Sequence, residues 1–288
     1  MKTRLFRPVL VLASTLAVIS IGFAQAPRID VPAASPACTL KQRVGFTDIE
    51  ITYSRPGAKG RAIFGGLVAY DQVWRAGANA ATQITFSTPV KLNGTEIPAG
   101  TYGLFAIPGR EEWTVIINKA FKQWGAYKYD PKDDVLRVKV SPVALEHPVE
   151  TFTIDVNDIR DDSATLDLIW EKTCAPVKIT VEVTAKVLAQ IDAAMAAAGK
   201  KPYAEAAMFY LNHDLDLKKA AGWMDAAITE QPTAFWLFYH KARLLAKTGD
   251  KAGAIAAAKA SIDLVAKNTG PEKDEYTHLN EALIASLK

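Results

Sequence analysis

Three arginines, Arg55, Arg61 and Arg75, fall within one run, residues 53–79, reading YSRPGAKGRAIFGGLVAYDQVWRAGAN. Trp74 and Asn79 belong to the same run. A guanidinium is a rigid fork of donors that meets a carboxylate or phosphate with two hydrogen bonds. Indole and phenol rings add flat faces that stack on sugars or cations. A second aromatic group, FKQWGAYKY at residues 121–129, carries Trp124, Tyr127 and Tyr129. Together these residues suit a carboxylated or sulfated glycan, or a peptide carboxylate. We take Arg55, Arg61, Trp74, Arg75, Asn79, Trp124 and Tyr127 as the candidate ligand-binding set. The competing reading is structural. Arginines in such loops cap strand ends or pair with acids such as Asp71, Asp130 or Asp134, and Trp and Tyr plug the end of a sandwich. The two readings divide on whether the guanidinium groups share an open cleft or each meet an acid.

Other chemistry is sparsely represented. The four histidines are His147, His213, His240 and His278, and none has a ligand partner at helical spacing. There is no HExxH, EF-hand loop, P-loop or GxGxxG, and no GxSxG elbow. The acidic run Asp158, Asp161 and Asp162 loosely resembles a calcium loop, but reads as a solvated turn between strands. No catalytic residue, metal site or cofactor is assigned. A hydrolase acting on envelope or extracellular glycans is the alternative function. It would need two carboxylates at a defined separation, with Asp71, Asp130 and Asp134 to supply them.

The elements that must position these residues fall into two regions. From Cys38 to about Val183 the dominant period is two: Ile49, Ile51 and Tyr53 alternate with Glu50, Thr52 and Ser54, the mark of a strand with one face buried. Asn93-Gly94 sits between Val90–Leu92 and Thr95–Ile97 and suits a type I′ hairpin. Nine or ten short strands are expected, including separate ones at Ser163 to Trp170 and Val177 to Val183. Their expected arrangement is an all-β antiparallel sandwich over residues 36–183. Gly57, Gly60, Gly65 and Gly66 give the Arg-rich loop unusual backbone freedom, and Pro56 holds Arg55 extended.

From residue 184 to 288 the chain turns Ala-rich and takes the helical period. Val187, Leu188, Ile191 and Met195 share one face, and Gly199 stops the helix. Residues 34 apart correspond: Ala220 with Ala254, Ala227 with Ser261, Leu211 with Leu245. The period resembles tetratricopeptide repeats and predicts a separate all-α, tetratricopeptide-like domain. Two departures stand out. Lys241 occupies a position that prefers an apolar residue, and Leu215-Asp216 stands where Gly-Asp is expected. Fewer than three full units do not make a long concave groove, yet the helices offer a surface to a protein partner.

The first residues give an address. Lys2, Arg4 and Arg7 precede an apolar stretch from Pro8 to Phe23, and Gly22-Phe23-Ala24 supplies a small-residue cleavage site. Residues 1–24 are therefore expected to be a secretory signal peptide, followed by a Pro-rich extended leader at 25–35. The apolar run is short for a membrane anchor, so no membrane span remains after cleavage. The protein is expected to be exported, periplasmic or extracellular. Removing Lys2, Arg4 and Arg7 from the 34 basic residues leaves 31, equal to the 31 acids. That balance carries no footprint for nucleic acid. Export permits a disulfide, and Cys38 and Cys174, near the two ends of the β region, are expected to form one. The loop-entropy model values such a bridge at roughly 5 kcal/mol.

Several multi-residue motifs in the β region resemble a secreted bacterial family catalogued as domain of unknown function 2911. They are SPACTLKQRVGFTDIEITYSRPGAKGRAIFGGLVAYDQVWRAGANAATQITFS, VKLNGTEIPAGTYGLFAIPGREEWTVIINK, QWGAY and DDSATLDLIWEK. The resemblance spans roughly Ser35 to Val183. It implies export and a β-rich domain, sometimes followed by helical repeat-like segments, and no established activity.

Overall fold

The computed structural model describes residues 30–288. The expected signal peptide, residues 1–24, and the first part of the leader lie outside the described residues. Alternation of apolar and polar side chains builds ten strands among the described residues. β1 (Ala37–Val44), β2 (Thr47–Ser54), β3 (Thr82–Phe86), β6 (Gly100–Ile107), β7 (Trp113–Asn118) and β8 (Asp134–Val140) form one antiparallel sheet in the order β1-β2-β3-β6-β7-β8. β4 (Val90–Leu92), β5 (Thr95–Ile97), β9 (Val143–Asn157) and β10 (Ser163–Val181) form the second, in the order β5-β4-β10-β9. The inner faces of both sheets contribute to one core that includes Phe86, Leu104, Trp113, Phe152, Leu168 and Trp170. Tyr53 on β2 pins the sheets together. Its hydroxyl accepts from Ile154 N at 2.9 Å and donates to Ile154 O at 3.2 Å. Asn93 and Gly94 both hold positive φ, 46° and 87°, as the hairpin between β4 and β5 requires.

The sequence divides at Trp170, but the strand does not. Ala164, Leu166, Leu168 and Trp170 are buried on even positions, and Ala175, Val177, Ile179 and Val181 on odd ones. A change of phase of this kind reads as two strands. The strand continues through Glu171 at φ 52°, and the pairing with β9 shifts register on either side of it, with the extra residues on β9. β10 thereby runs on from its pairing with β9 to its pairing with β4.

The expected disulfide is corrected by the topology. Both cysteines are free. Cys38 lies on β1 opposite Tyr53, whereas Cys174 lies on β10 opposite Val143, in the other sheet. The first and last strands are therefore on separate layers, and the Cys174 thiol meets Asp167 and not Cys38. Burial, reinforced by the nearby charge of Asp167, pushes the Cys174 thiol up to about 11.

Six helices follow: α1 (Thr184–Ala196), α2 (Tyr203–Asn212), α3 (Leu217–Glu230), α4 (Phe235–Lys247), α5 (Lys251–Val265) and α6 (Glu272–Leu287). The 34-residue correspondence has a physical content. Ala220, Ala227, Ala254 and Ser261 are all buried, where small side chains let neighbouring helices approach. Asp216 and Asp250, also 34 apart, both cap their helices, accepting from Lys219 N and Gly253 N at 2.9 Å. The missing glycine of the first unit is explained by a turn one residue longer. There Asp214 takes the left-handed conformation at φ 51°, and in the second unit Gly249 takes it at φ 85°. Lys241 leaves the apolar pattern to reach Asp225 on α3 at 2.6 Å. Val187 and Phe209 pack against the sandwich core, so α1 and α2 dock on the β domain. His213, capping α2, sets its Nε2 3.5 Å from Asp161 in the β9–β10 turn.

Candidate functional site

The loop joining β2 to β3 crosses one end of the sandwich and is tied to both sheets. Ala58 N donates to Glu150 O at 2.7 Å, and Phe152 N donates to Pro56 O at 2.9 Å, both on β9. Trp74 and Ala106 on β6 exchange two backbone hydrogen bonds at 2.7 and 2.8 Å. The loop's last turn is conformationally demanding. Ala76 sits at φ 48°, Gly77 at φ 145° and Asn79 at φ 60°. Only glycine fits at 77, because a Cβ there would lie 2.9 Å from Ser54 O and 3.2 Å from Thr82 Oγ1. The turn is held by Trp74 Nε1 donating to Gly77 O at 3.1 Å, by Thr82 Oγ1 donating to Ala76 O at 2.5 Å, and by Asn79 Nδ2 donating to Ser35 O and Ser54 Oγ. Sparsely populated backbone shapes persist where the surroundings over-determine them, and they gather at binding and catalytic sites.

This turn presents Arg75 to a cleft of about 330 Å³, within the size range of small-ligand pockets. Its walls come from Ser35, Pro56, Arg61, Leu67, Val68, Trp74, Arg75, Gly77, Ala78 and Trp170. The Trp74 ring is 8% exposed and stacks on Trp170, 1% exposed, with centroids 5.9 Å apart and planes 18° from parallel. Phe152 meets Trp74 edge-on at 4.9 Å. The floor is therefore rigid and apolar.

The three arginines have three fates. None forms an ion pair with an acid among the described residues. Arg55 is spent on the fold: its Nε donates to Phe152 O at 3.1 Å and its Nη2 to Thr153 Oγ1 at 2.6 Å, locking β2 to β9. Arg61 is braced against its own loop, through Nε to Ala58 O at 3.0 Å and Nη2 to Gly57 O at 2.7 Å, and it lines the cleft with donors to spare. Arg75 also lines the cleft, and its Nε is buried with no hydrogen-bond partner among the described residues. A buried unpaired donor costs about 1–3 kcal/mol, more for a charged group. It is the most conspicuous unmet valence of the β domain.

The rest of the candidate set disperses. Asn79 ties the turn and does not line the cleft. Trp124 is 65% exposed and Tyr127 85% exposed, on a loop whose backbone meets the end of the site segment, Gly125 N donating to Asn79 O and Ala81 N to Gln123 O, both at 3.0 Å. Tyr129 of the same loop is anchored instead. It donates to Asp134 Oδ2 and accepts from Arg137 Nη2, both at 2.7 Å, and burial with the Asp134 carboxylate pushes its hydroxyl up to about 12. The three acids are separate. Asp134 takes hydrogen bonds from Asn118, Tyr129 and Arg137, Asp130 caps the 3-10 turn at 131–133, and Asp71 is exposed at φ 58° in the turn beside Pro108. None lines the cleft. Among the described residues no group of three His, Cys, Asp or Glu side chains is placed to hold a metal ion. Of the cleft residues outside the candidate set, Trp170 lies farthest from it along the chain. Its signal was present in the alternation of Ala164, Leu166 and Leu168, which puts it on the inner face.

The model of the family described as "Protein of unknown function (DUF2911)" matches residues 35–179, about half of the chain. The chain belongs to this family. The DUF2911 match takes in both sheets and every residue of the cleft, and the six helices follow it. No curated protein and no solved structure matches the chain.

Proposed function

We propose that the protein is an exported, non-enzymatic binding protein whose β domain takes a small anionic ligand in the cleft between the β2–β3 loop and β10. One observation carries this reading: Arg75 and Arg61 line a cleft whose described walls include no carboxylate and no lysine, and Arg75 Nε is buried without a partner among the described residues. A fold that only needed arginine for structure would pair it, as Arg55 is paired. Export is supported by the basic, apolar and small-residue pattern of residues 1–24. No described helix is long and apolar enough to cross a membrane. The helices offer their surface to a protein partner in the same compartment. The glycan-hydrolase alternative finds no support in the acids, since Asp130 and Asp134 are committed to local structure and Asp71 stands apart from the cleft.

A thermal-shift screen of residues 25–288 against carboxylated sugars, sulfated sugars and short peptides with free C-termini tests the reading. At least one anion should raise the melting temperature of the wild type and raise that of Arg61→Ala by clearly less. Equal shifts in both proteins, or none with any anion, would contradict it. Mass spectrometry of protein secreted by a bacterial host should give an N-terminus at Gln25.

A further inference from the structure

The cleft's chemistry narrows its ligand further, on the premise that it is an anion site. A polyhydroxylated ligand needs an acceptor or donor for each hydroxyl it buries, and an unmatched one costs about 1–3 kcal/mol. Side chains that usually supply them are missing from the walls. Among the described residues the walls hold no Asp, Glu, Asn, Gln or Lys, and beyond the two arginines only Ser35 has a polar side chain. The nearest amide, Asn79, is already committed to Ser35 O and Ser54 Oγ. A phosphate, with three oxygens to satisfy, draws on backbone N–H groups where it is held tightly. Here Arg61 N, Leu67 N, Val68 N, Trp74 N and Ala78 N are already given to carbonyl oxygens, which leaves few backbone donors for such an anion. What remains is a pair of guanidinium groups, suited to the two coplanar oxygens of a carboxylate, above a floor of Trp74, Trp170, Leu67 and Val68. Leu67 is half exposed, an apolar wall that is open to be covered.

We infer that the cleft takes an amphiphilic monocarboxylate: one carboxylate, held by Arg75 and Arg61, on an aromatic or branched aliphatic body that packs on the tryptophan floor and covers Leu67. A free carboxylic acid and the apolar C-terminal residue of a peptide both carry this chemistry. The cleft disfavours sugars by offering their hydroxyls few side-chain partners and almost no side-chain acceptor.

The test is titration of isotope-labelled protein, residues 25–288, followed on the indole N–H signals of Trp74 and Trp170. The probes are 3-phenylpropionate, its neutral amide 3-phenylpropionamide, glucuronate, inorganic sulfate and N-acetylphenylalanine. 3-Phenylpropionate should shift those signals with a Kd on the order of 1 mM, ordinary for a probe of this size. The amide and glucuronate should each bind about tenfold weaker or less, one for want of charge and the other for want of an apolar body. Arg75→Gln should abolish the response. Arg61→Gln, at an exposed position, should weaken it and serves if the first variant does not fold. N-acetylphenylalanine binding tighter than 3-phenylpropionate would assign the chemistry to a peptide terminus, and the reverse order to a free acid. If glucuronate or sulfate binds as well as 3-phenylpropionate, the amphiphile assignment is overturned while the anion site stands. If no anion moves either indole, or the amide binds as well as the acid, the anion site itself is overturned.

Discussion

Two segments that set cations beside aromatic rings, one with arginines and one with lysines, behave oppositely in the structure. The β2–β3 loop folds its Trp74 inward onto Trp170, ties its backbone to both sheets, and leaves one guanidinium donor buried and unpaired among the described residues. The 121–129 loop turns Trp124 and Tyr127 outward and ties Tyr129 into a closed network with Asp134 and Arg137. Both segments hold rings beside cations. Only the first pairs a rigid apolar floor with a cation lacking a protein partner. A binding site is marked by unmet valence in a defined cavity, more than by residue type.

The contrast can be broken most forcefully at its two tryptophans. Trp170→Ala removes a fully buried ring that also donates to Glu150 O at 3.1 Å, and should cost about 3–5 kcal/mol in urea denaturation. Trp124→Ala, at an exposed ring, should stay within about 0.5 kcal/mol of wild type. Similar costs for the two would dissolve the distinction. Next in size is Arg55→Ala. Losing the hydrogen bonds that lock β2 to β9 should lower stability by about 1–3 kcal/mol, with the cleft's ligand response retained in whatever remains folded. An unchanged stability would place Arg55 with Arg75 and not apart from it.

A gentler probe reads the 121–129 loop through pH. Tyr129 holds its proton to about 12 in the folded protein, against about 10 for the free side chain. Below pH 10 the hydroxyl is protonated in both states and its contribution is complete. Between about pH 10 and 12 the unfolded chain gives up the proton and the folded one keeps it, so stability falls as pH rises. Tyr129→Phe should flatten that part of the stability profile. A wild-type profile already flat there would show that the network does not hold Tyr129.

Much of the fold is legible in the sequence because it is governed by local periods. The alternation through Ile49, Ile51 and Tyr53, the hairpin at Asn93-Gly94 and the 34-residue correspondence of Ala220 with Ala254 all appear as built. The site is legible only in part, for a geometric reason. Arg55 and Arg75 stand in the same run, and what separates them is Phe152 and Thr153, about a hundred positions along the chain on β9. Trp74 finds its stacking partner at a similar distance, on β10. Such pairings depend on how two sheets are superposed, which no local period encodes. The same limit explains Cys38 and Cys174, which stand at the two ends of the β region and on different sheets. Glu171 shows the converse case, in which a local break in alternation signals a shift of register and not an end.

The central claim is that Arg75 serves a ligand and not the fold. The measurement that bears on it most directly is the stability of Arg75→Ala by urea denaturation without ligand, beside its response to 3-phenylpropionate. The account predicts a stability within about 0.5 kcal/mol of wild type, or above it because a buried unpaired donor has been removed, together with loss of the ligand response. A fall of more than about 1 kcal/mol, or a ligand response equal to wild type, would contradict it.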